Sequence, residues 1–314
     1  MKILVTGGAG FIASHITDLL IENDHEIVII DNLSTGQLIN LNEKAKFYEQ
    51  DLSDHEKIKE IFMIEKPEII YHLAAQIDVR KSVEDPVKDA NINIINALNL
   101  LELAVKNNIK HFIFSSTGGA IYGDTDDIPT KEGHLEQPIS PYGCAKLSIE
   151  KYLNYYNKVH GLKYTCLRYS NVYGPRQNPK GEAGVISIFL EDMLANKTPK
   201  IFGGTQTRDF VFVEDVAFAN ILAINDTISS TYNVGTGKEI DIIEIFSRLN
   251  TYFKKSYEPI YLDMKKGEQK RSCLSAEKIK KDLGWTPKTS FNEGLDKTYL
   301  WFLKRKKLIY YEKY

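Results

Sequence analysis

The 314-residue chain is short of several things, and each shortage closes off a class of function. It has only three cysteines, Cys144, Cys166 and Cys273, with no C-x-x-C spacing, so neither a disulfide framework nor a thiolate zinc site is expected. Its seven histidines are scattered and form no metal-ligand pattern with neighbouring carboxylates, so no metal is expected. The formal net charge is only -2, which gives no reason to expect a nucleic-acid partner. No apolar run approaches the ~20 residues needed to span a bilayer. Residues 2–6 are too short for the apolar region of a secretory signal. There is no GxxxxGK[ST] loop, so phosphoryl transfer from a nucleoside triphosphate is not indicated. The basic run Lys304-Arg305-Lys306-Lys307 reads as a solvated helix end that suits the helix dipole. With 43% hydrophobic and 26% charged residues, the expectation that remains is a globular cytoplasmic enzyme.

What is there is a regular alternation. Short apolar runs at 2–6, 26–31, 46–49, 68–73, 111–116 and 163–169 read as strands. Amphipathic stretches at about 11–23, 54–66, 86–108 and 141–160 read as helices between them. Strands alternating with helices of this length imply an α/β fold with a doubly wound parallel sheet covered on both faces. After about residue 170, Gly, Pro and Asn cluster and the strands become short and widely spaced, which reads as a smaller, mostly helical lobe. The expected division is therefore 1–170 and 171–314, with 209–235 returning to the first unit.

Gly7-Gly8-Ala9-Gly10-Phe11-Ile12-Ala13 follows the first strand and opens the first helix. Its leading glycines allow a tight turn and let a pyrophosphate approach the helix N-terminus. Asp31 ends the second strand, where a carboxylate accepts hydrogen bonds from an adenosine ribose and repels a 2′-phosphate, so NAD is favoured over NADP. Farther on, Ser140 suits a helix cap and Pro141 a first helical position. Tyr142 and Lys146 then lie one turn apart on one face. A tyrosine ionises near pH ~10, and a neighbouring ammonium favours its phenolate, which suits the pair to proton transfer beside a dinucleotide.

Thr6-Gly7-Gly8-Ala9-Gly10-Phe11-Ile12, Asp51-Leu52, His72-Leu73-Ala74-Ala75, Ser115-Ser116-Thr117, Tyr142-x-x-x-Lys146 and Arg168-Tyr169-Ser170-Asn171-Val172-Tyr173-Gly174-Pro175 follow one another in order. Gly181-Glu182-Ala183-Gly184, Thr207-Arg208-Asp209-Phe210 and Leu283-Gly284-Trp285 extend the set. Together they resemble the extended short-chain dehydrogenases/reductases, and among these the nucleotide-sugar epimerases of the UDP-glucose 4-epimerase type. The resemblance implies a Rossmann NAD-binding domain at 1–170, a substrate-binding lobe, a UDP-sugar substrate and a place in galactose metabolism.

For NAD the resemblance implies Gly7, Gly10, Phe11 and Ile12 at the turn. Asp31, Asn32, Ser34, Thr35, Gly36, Asp51 and Leu52 would be at the adenosine end. Leu73, Ala74, Ala75, Asn91, Ser115 and Tyr169 would lie along the channel, with Tyr142 and Lys146 at the nicotinamide end. It implies that Tyr142 moves the proton of the sugar 4-hydroxyl and that Lys146 binds the ribose and depresses the tyrosine pKa. Thr117 would hydrogen-bond the reacting oxygen, with Ser116 as the alternative because one extra glycine leaves that turn ambiguous by a residue. Asn171, Val185, Phe202, Arg208, Lys265 and Ser272 complete the implied substrate site.

Gly118 and Gly119 stand where sister dehydratases carry an acid pair and decarboxylases a glutamate, which speaks for epimerisation. Lys265 replaces the arginine usual before the Pro-Gly-Asp/Glu motif, keeping the charge but losing the bidentate fork. Cys144 lies inside the Tyr-x-x-x-Lys turn and reads as packing. The helices at 86–108 and 141–160 correspond to those that pair across a two-fold axis in such enzymes, so a homodimer is expected, with Leu147, Tyr152 and Tyr155 as candidate contacts. A uronic-acid 4-epimerase and a non-catalytic NAD-binding regulator are the other readings.

Overall fold

The apolar runs of the first half become parallel strands, most of them buried on both faces, with helices after β1, β3, β4 and β5 carrying the chain back across the sheet. The computed structural model describes residues 1–180, 184–263 and 269–311. Its strands are β1 (Lys2–Thr6), β2 (Glu26–Asp31), β3 (Lys46–Glu49), β4 (Ile69–His72), β5 (His111–Thr117), β6 (Tyr164–Tyr169), β7 (Asn171–Tyr173), β8 (Lys200–Phe202), β9 (Thr207–Phe212), β10 (Ser230–Val234), β11 (Glu239–Asp241), β12 (Ile260–Leu262) and β13 (Arg271–Ser272). Its helices are α1 (Phe11–Glu22), α2 (His55–Glu65), α3 (Val79–Glu84), α4 (Pro86–Ala90), α5 (Asn96–Lys106), α6 (Gly118–Ile121), α7 (Pro141–His160), α8 (Val185–Leu194), α9 (Val213–Ala223), α10 (Ile242–Asn250), α11 (Glu277–Leu283) and α12 (Phe291–Tyr311).

The main sheet runs β10-β6-β5-β4-β1-β2-β3, parallel throughout. From β1 the chain winds outward through β2 and β3, then crosses back to β4 and winds the other way. This is a Rossmann α/β arrangement, and the reversal between β1 and β4 opens a crevice at the carboxyl ends of the strands. α1 and α9 cover one face, where Ile3, Val5, Ile29 and Val216 pack together. α2, α5 and α7 cover the other, around Leu4, Phe62, Phe112 and Leu153.

The segment after 170 is divided between two bodies. β9 joins β7, β11 and β13 in a small mixed sheet, and β8 pairs with β12, both enclosed by α8, α10 and α12. α9 and β10 complete the main sheet instead. Tyr71 and Tyr169 donate from the sheet to the backbone and side-chain oxygens of Asn220 on α9, at 2.8 and 3.1 Å. The first core also takes in Ile279 of α11 and Trp285, whose indole N–H donates to the Asp215 carbonyl at 2.9 Å.

Between α4 and α5 the chain makes a π-helical stretch, Asn91–Ile95. Such stretches widen a helix by one residue and change which side chains point inward.

Candidate active site

The turn after β1 is built around Gly7, whose φ of +74° lies in the left-handed region that side chains disfavour. A Cβ at Gly7 would also stand 2.7 Å from the Ala74 nitrogen. Gly7 N donates to the Ile30 carbonyl at 2.8 Å and Gly10 N to the Gly7 carbonyl at 2.9 Å, so the turn closes directly onto the start of α1. At the end of β2, Asp31 accepts from Ala9 N at 3.0 Å and Leu33 N at 2.8 Å, and its burial raises the pKa. Gly36 lies against it, since a Cβ there would meet the carboxylate at 2.9 Å. Beyond β3, Asp51 accepts from the Ser53 N–H at 2.8 Å and the Asn32 amide at 2.5 Å, and bonding to Ser53 lowers its pKa. A glycine-rich turn at a helix N-terminus, with carboxylates at the next two strand ends, fits a dinucleotide with free ribose hydroxyls.

Two clefts open along the carboxyl ends of the strands. One, about 280 Å³, runs past Gly7, Gly10, Phe11, Ile12, Leu73, Ser115, Lys146 and Tyr169. The other, about 510 Å³, lies toward the lobe and is lined by Phe202, Gln206, Arg208 and Gln269 among others. Thr117, Tyr142, Ser170, Asn171 and Val185 line both and mark the seam where they join.

The seam residues are set by α7. Ser140 caps it by accepting from Gly143 N at 3.1 Å, and Pro141 occupies its first turn. Lys146, only 4% exposed, donates from Nζ to the Ser115 carbonyl at 2.8 Å. It lies 4.8 Å from the Phe114 ring centre and 5.9 Å from that of Tyr142. Burial lowers the Lys146 pKa to about 8, against the opposing pull of Asp89 and Glu150. His72 bonds the Thr6 hydroxyl at 2.7 Å beneath this site. Its pKa falls to about 3, through burial first and the Lys146 charge second.

Some expected site residues fall elsewhere. Ser116 lines the smaller cleft and donates its hydroxyl to Glu150 Oε1 at 2.5 Å, whereas Thr117 lines both clefts. Asn91 is exposed on the outer side of the π-helical stretch, and the extra residue in that turn brings Asn93 inward instead. Asn93 accepts from Gln76 N at 2.9 Å and donates to Asp89 at 2.9 Å, holding the loop after β4. Asn32, Ser34, Thr35, Gly36, Asp51 and Leu52 line neither cleft, and neither do Ala74 and Ala75. Ser272 pairs with Arg208 across β13 and β9, and its hydroxyl is 3.9 Å from the Cβ position of Gly119, as is that of Thr117. The Arg208 guanidinium faces the larger cleft while donating to the carbonyls of Thr207, Gln269 and Lys270 at 2.8, 2.6 and 3.2 Å. Lys265, and Gly181, Glu182 and Ala183 of the Gly181-Glu182-Ala183-Gly184 segment, lie outside the described residues.

Sequence reasoning missed the polar group behind the seam. Arg168, Glu150, Glu136 and Tyr122 form one buried cluster, although they are far apart in the chain. The only signal was a charged residue in the middle of an apolar strand run, at Arg168. Among the described residues no group of three or more His, Cys, Asp or Glu could hold a metal, and no helix is long and apolar enough to cross a membrane.

Residues 3–235 match the model of the NAD dependent epimerase/dehydratase family. The UDP-glucose 4-epimerase of Thermotoga maritima, solved with UDP-glucose, is 49% identical with a TM-score of 0.95, covering 98% of this chain and all of that one. The UDP-glucose 4-epimerase of Thermus thermophilus, solved with NAD, is 40% identical with a TM-score of 0.91, covering 96% and 99% of the two chains. The UDP-glucose 4-epimerase of Mycolicibacterium smegmatis is 39% identical over 309 residues, 96% of this chain and 98% of that protein.

Proposed function

The chain belongs to the NAD-dependent epimerase/dehydratase family, and from that premise we propose that it is a UDP-hexose 4-epimerase, an isomerase that interconverts UDP-glucose and UDP-galactose through a transient 4-keto sugar. The observation that carries this reading is the seam: Tyr142 and Thr117 face both clefts at once, with Lys146 buried directly behind them. NAD supplies the hydride acceptor and donor at the sugar 4-position and is regenerated in each turnover. Tyr142 takes the proton of the 4-hydroxyl and returns it from the same position once the keto sugar has turned over. Thr117 holds the reacting oxygen. Lys146, fixed by the Ser115 carbonyl, keeps a positive charge beside the phenol and favours its ionised form. The larger cleft takes the UDP-sugar, with Asn171 and Arg208 at the diphosphate and Phe202 at the base. Gly118 and Gly119 place no acid beside Thr117, so the keto sugar has no partner for elimination.

Incubating the purified protein with a panel of UDP-sugars and resolving the C4 epimers tests this. Conversion of UDP-glucuronate in place of the neutral hexoses would move the assignment to the uronic-acid reading. Release of NAD on denaturation, with full activity in the absence of added NAD, separates either from a non-catalytic regulator.

In this reading residues 1–170 with α9, β10, α11 and Trp285 form the NAD-binding domain, and the remainder, including β9 from the expected 209–235 return, the substrate lobe. The protein works in the cytoplasm, in galactose metabolism, as a homodimer. Support for the dimer comes from an apolar face on adjoining helices: Val87 on α4 is 73% exposed, and Tyr152, Tyr155 and Val159 on α7 are 42%, 48% and 59% exposed. Leu147, the third candidate contact, is only partly exposed. Light scattering at micromolar concentration distinguishes dimer from monomer.

A further inference from the structure

We propose that Arg168 and Glu150 are positioning residues for the reaction, a buried ion pair that locks helix α7 to strands β5 and β6 and so fixes Tyr142 and Lys146 against Thr117. The kinetic part of this rests on the function proposed above. Tyr142, Lys146 and Glu150 follow one another at intervals of four along α7, which puts all three on one face of the helix. The Glu150 carboxylate gathers three donors: the Ser116 hydroxyl at 2.5 Å, Arg168 Nε at 2.9 Å and Arg168 Nη2 at 2.5 Å. Arg168 spends its remaining reach on the Tyr122 hydroxyl at 2.8 Å and on Glu136 at 2.6 Å. Tyr122 in turn donates to Asn233 of β10 at 2.8 Å.

Each member of the cluster adjoins a residue of the seam. Ser116 directly precedes Thr117 on β5. Arg168 precedes Tyr169, Ser170 and Asn171 at the end of β6. Glu150 lies one turn beyond Lys146. The pair therefore ties together the three elements that carry the reacting groups.

Stability alone does not account for such a pair. Arg168 is 2% exposed and Glu150 5%. Buried ion pairs lose so much hydration that well-packed apolar replacements are often as stable or more so by ~1–4 kcal/mol. Geometry does account for it, because a misplacement of about 1 Å can lower turnover by about 100-fold. Charge adds a second effect. Lys146 is surrounded by Asp89 from α4, Glu150 and Tyr142 from its own helix, His72 from β4 and the Ser115 carbonyl from β5. Of these, the carboxylates of Asp89 and Glu150 favour its ammonium form.

The test compares Glu150→Gln with the apolar pair Arg168→Met/Glu150→Leu, each in the full-length protein with its bound NAD. For Glu150→Gln, kcat is expected to fall by about 100-fold with little change in KM for the sugar nucleotide. The alkaline limb of its kcat profile moves to lower pH than in wild type. The apolar double variant is expected to hold its melting temperature but not its kcat. A Glu150→Gln protein with kcat within about twofold of wild type and an unmoved limb overturns the proposal. So does an apolar pair with wild-type kcat. Should Glu150→Gln not fold, Arg168→Lys keeps both charges and loses only the fork, and wild-type kcat in that variant is equally fatal. If the wild-type protein converts no UDP-sugar, the function reading has failed by itself. The clamp is then read from the titration of the Lys146 side-chain nitrogen by NMR, assigned with Lys146→Arg. A lower midpoint in Glu150→Gln supports it, and an identical midpoint overturns it.

Discussion

The Lys146 ammonium lies 5.9 Å from the centre of the Tyr142 ring, one turn along the same helix. The lysine end is tethered by the Ser115 carbonyl of β5. Helix and sheet thus hold one charge and one phenol at a set separation, on the boundary between the two clefts.

Replacing Tyr142 by Phe should leave the fold and bound NAD intact and remove turnover. The ring packs as before, and only the hydroxyl is gone. Kcat should drop by ~100- to 10,000-fold, the usual range for a general acid–base group. A variant keeping more than about half of wild-type activity would show that Tyr142 is not that group.

The pH dependence follows from the buried lysine. Its pKa is lowered from 10.5 to about 8, so it is charged below about 8 and neutral above. If the charge supports ionisation of Tyr142, kcat at saturating substrate should fall as pH rises through that value. Kcat measured from about pH 6 to about pH 10 checks this. A profile that keeps rising to the alkaline end argues against a role for the Lys146 charge.

Gly7→Ala should be severe. The backbone there is left-handed and the new methyl would lie 2.7 Å from backbone nitrogen of the β4 loop. The conformation alone costs about 1–2 kcal/mol for a residue with a side chain, and the clash adds to it. The expected result is loss of co-purifying NAD together with a lower melting temperature, read by absorbance after denaturation and by calorimetry.

Substrate breadth should depend on Ser272. Its hydroxyl and that of Thr117 each lie 3.9 Å from the Cβ position of Gly119, a residue that lines the larger cleft. A small side chain there leaves room for an N-acetyl group, and both UDP-glucose and UDP-N-acetylglucosamine should be used. Ser272→Tyr should lower kcat/KM for the N-acetylated sugar selectively. Rejection of that sugar by wild type, or no change on introducing tyrosine, would remove Ser272 from this role.

Most of the parallel strands were legible because they are buried on both faces, which leaves uninterrupted apolar runs such as Ile3-Leu4-Val5 and Ile27-Val28-Ile29-Ile30 bounded by turns. The glycine turn and the start of α7 were legible because each depends on a few adjacent residues. What stayed hidden is non-local or irregular. The π-helical stretch changes the inward side chain from Asn91 to Asn93, and a period of 3.6 cannot anticipate that. The strands β8, β11, β12 and β13 are two or three residues long, too short for any alternation to register. The bond from Ser116 to Glu150, 34 residues away, is likewise set by the fold and not by any local pattern.

The placement of α9, β10 and Trp285 on the main sheet has a consequence for biosynthesis. A nascent chain of 170 residues already contains every glycine, acid and hydroxyl of its cofactor half, yet α1, Tyr71 and Tyr169 still lack the helix that covers them. That cover arrives with residues 213–234, and the indole that seals it is residue 285. Emerging from the ribosome, the first 170 residues complete their packing only after residue 285 has been made.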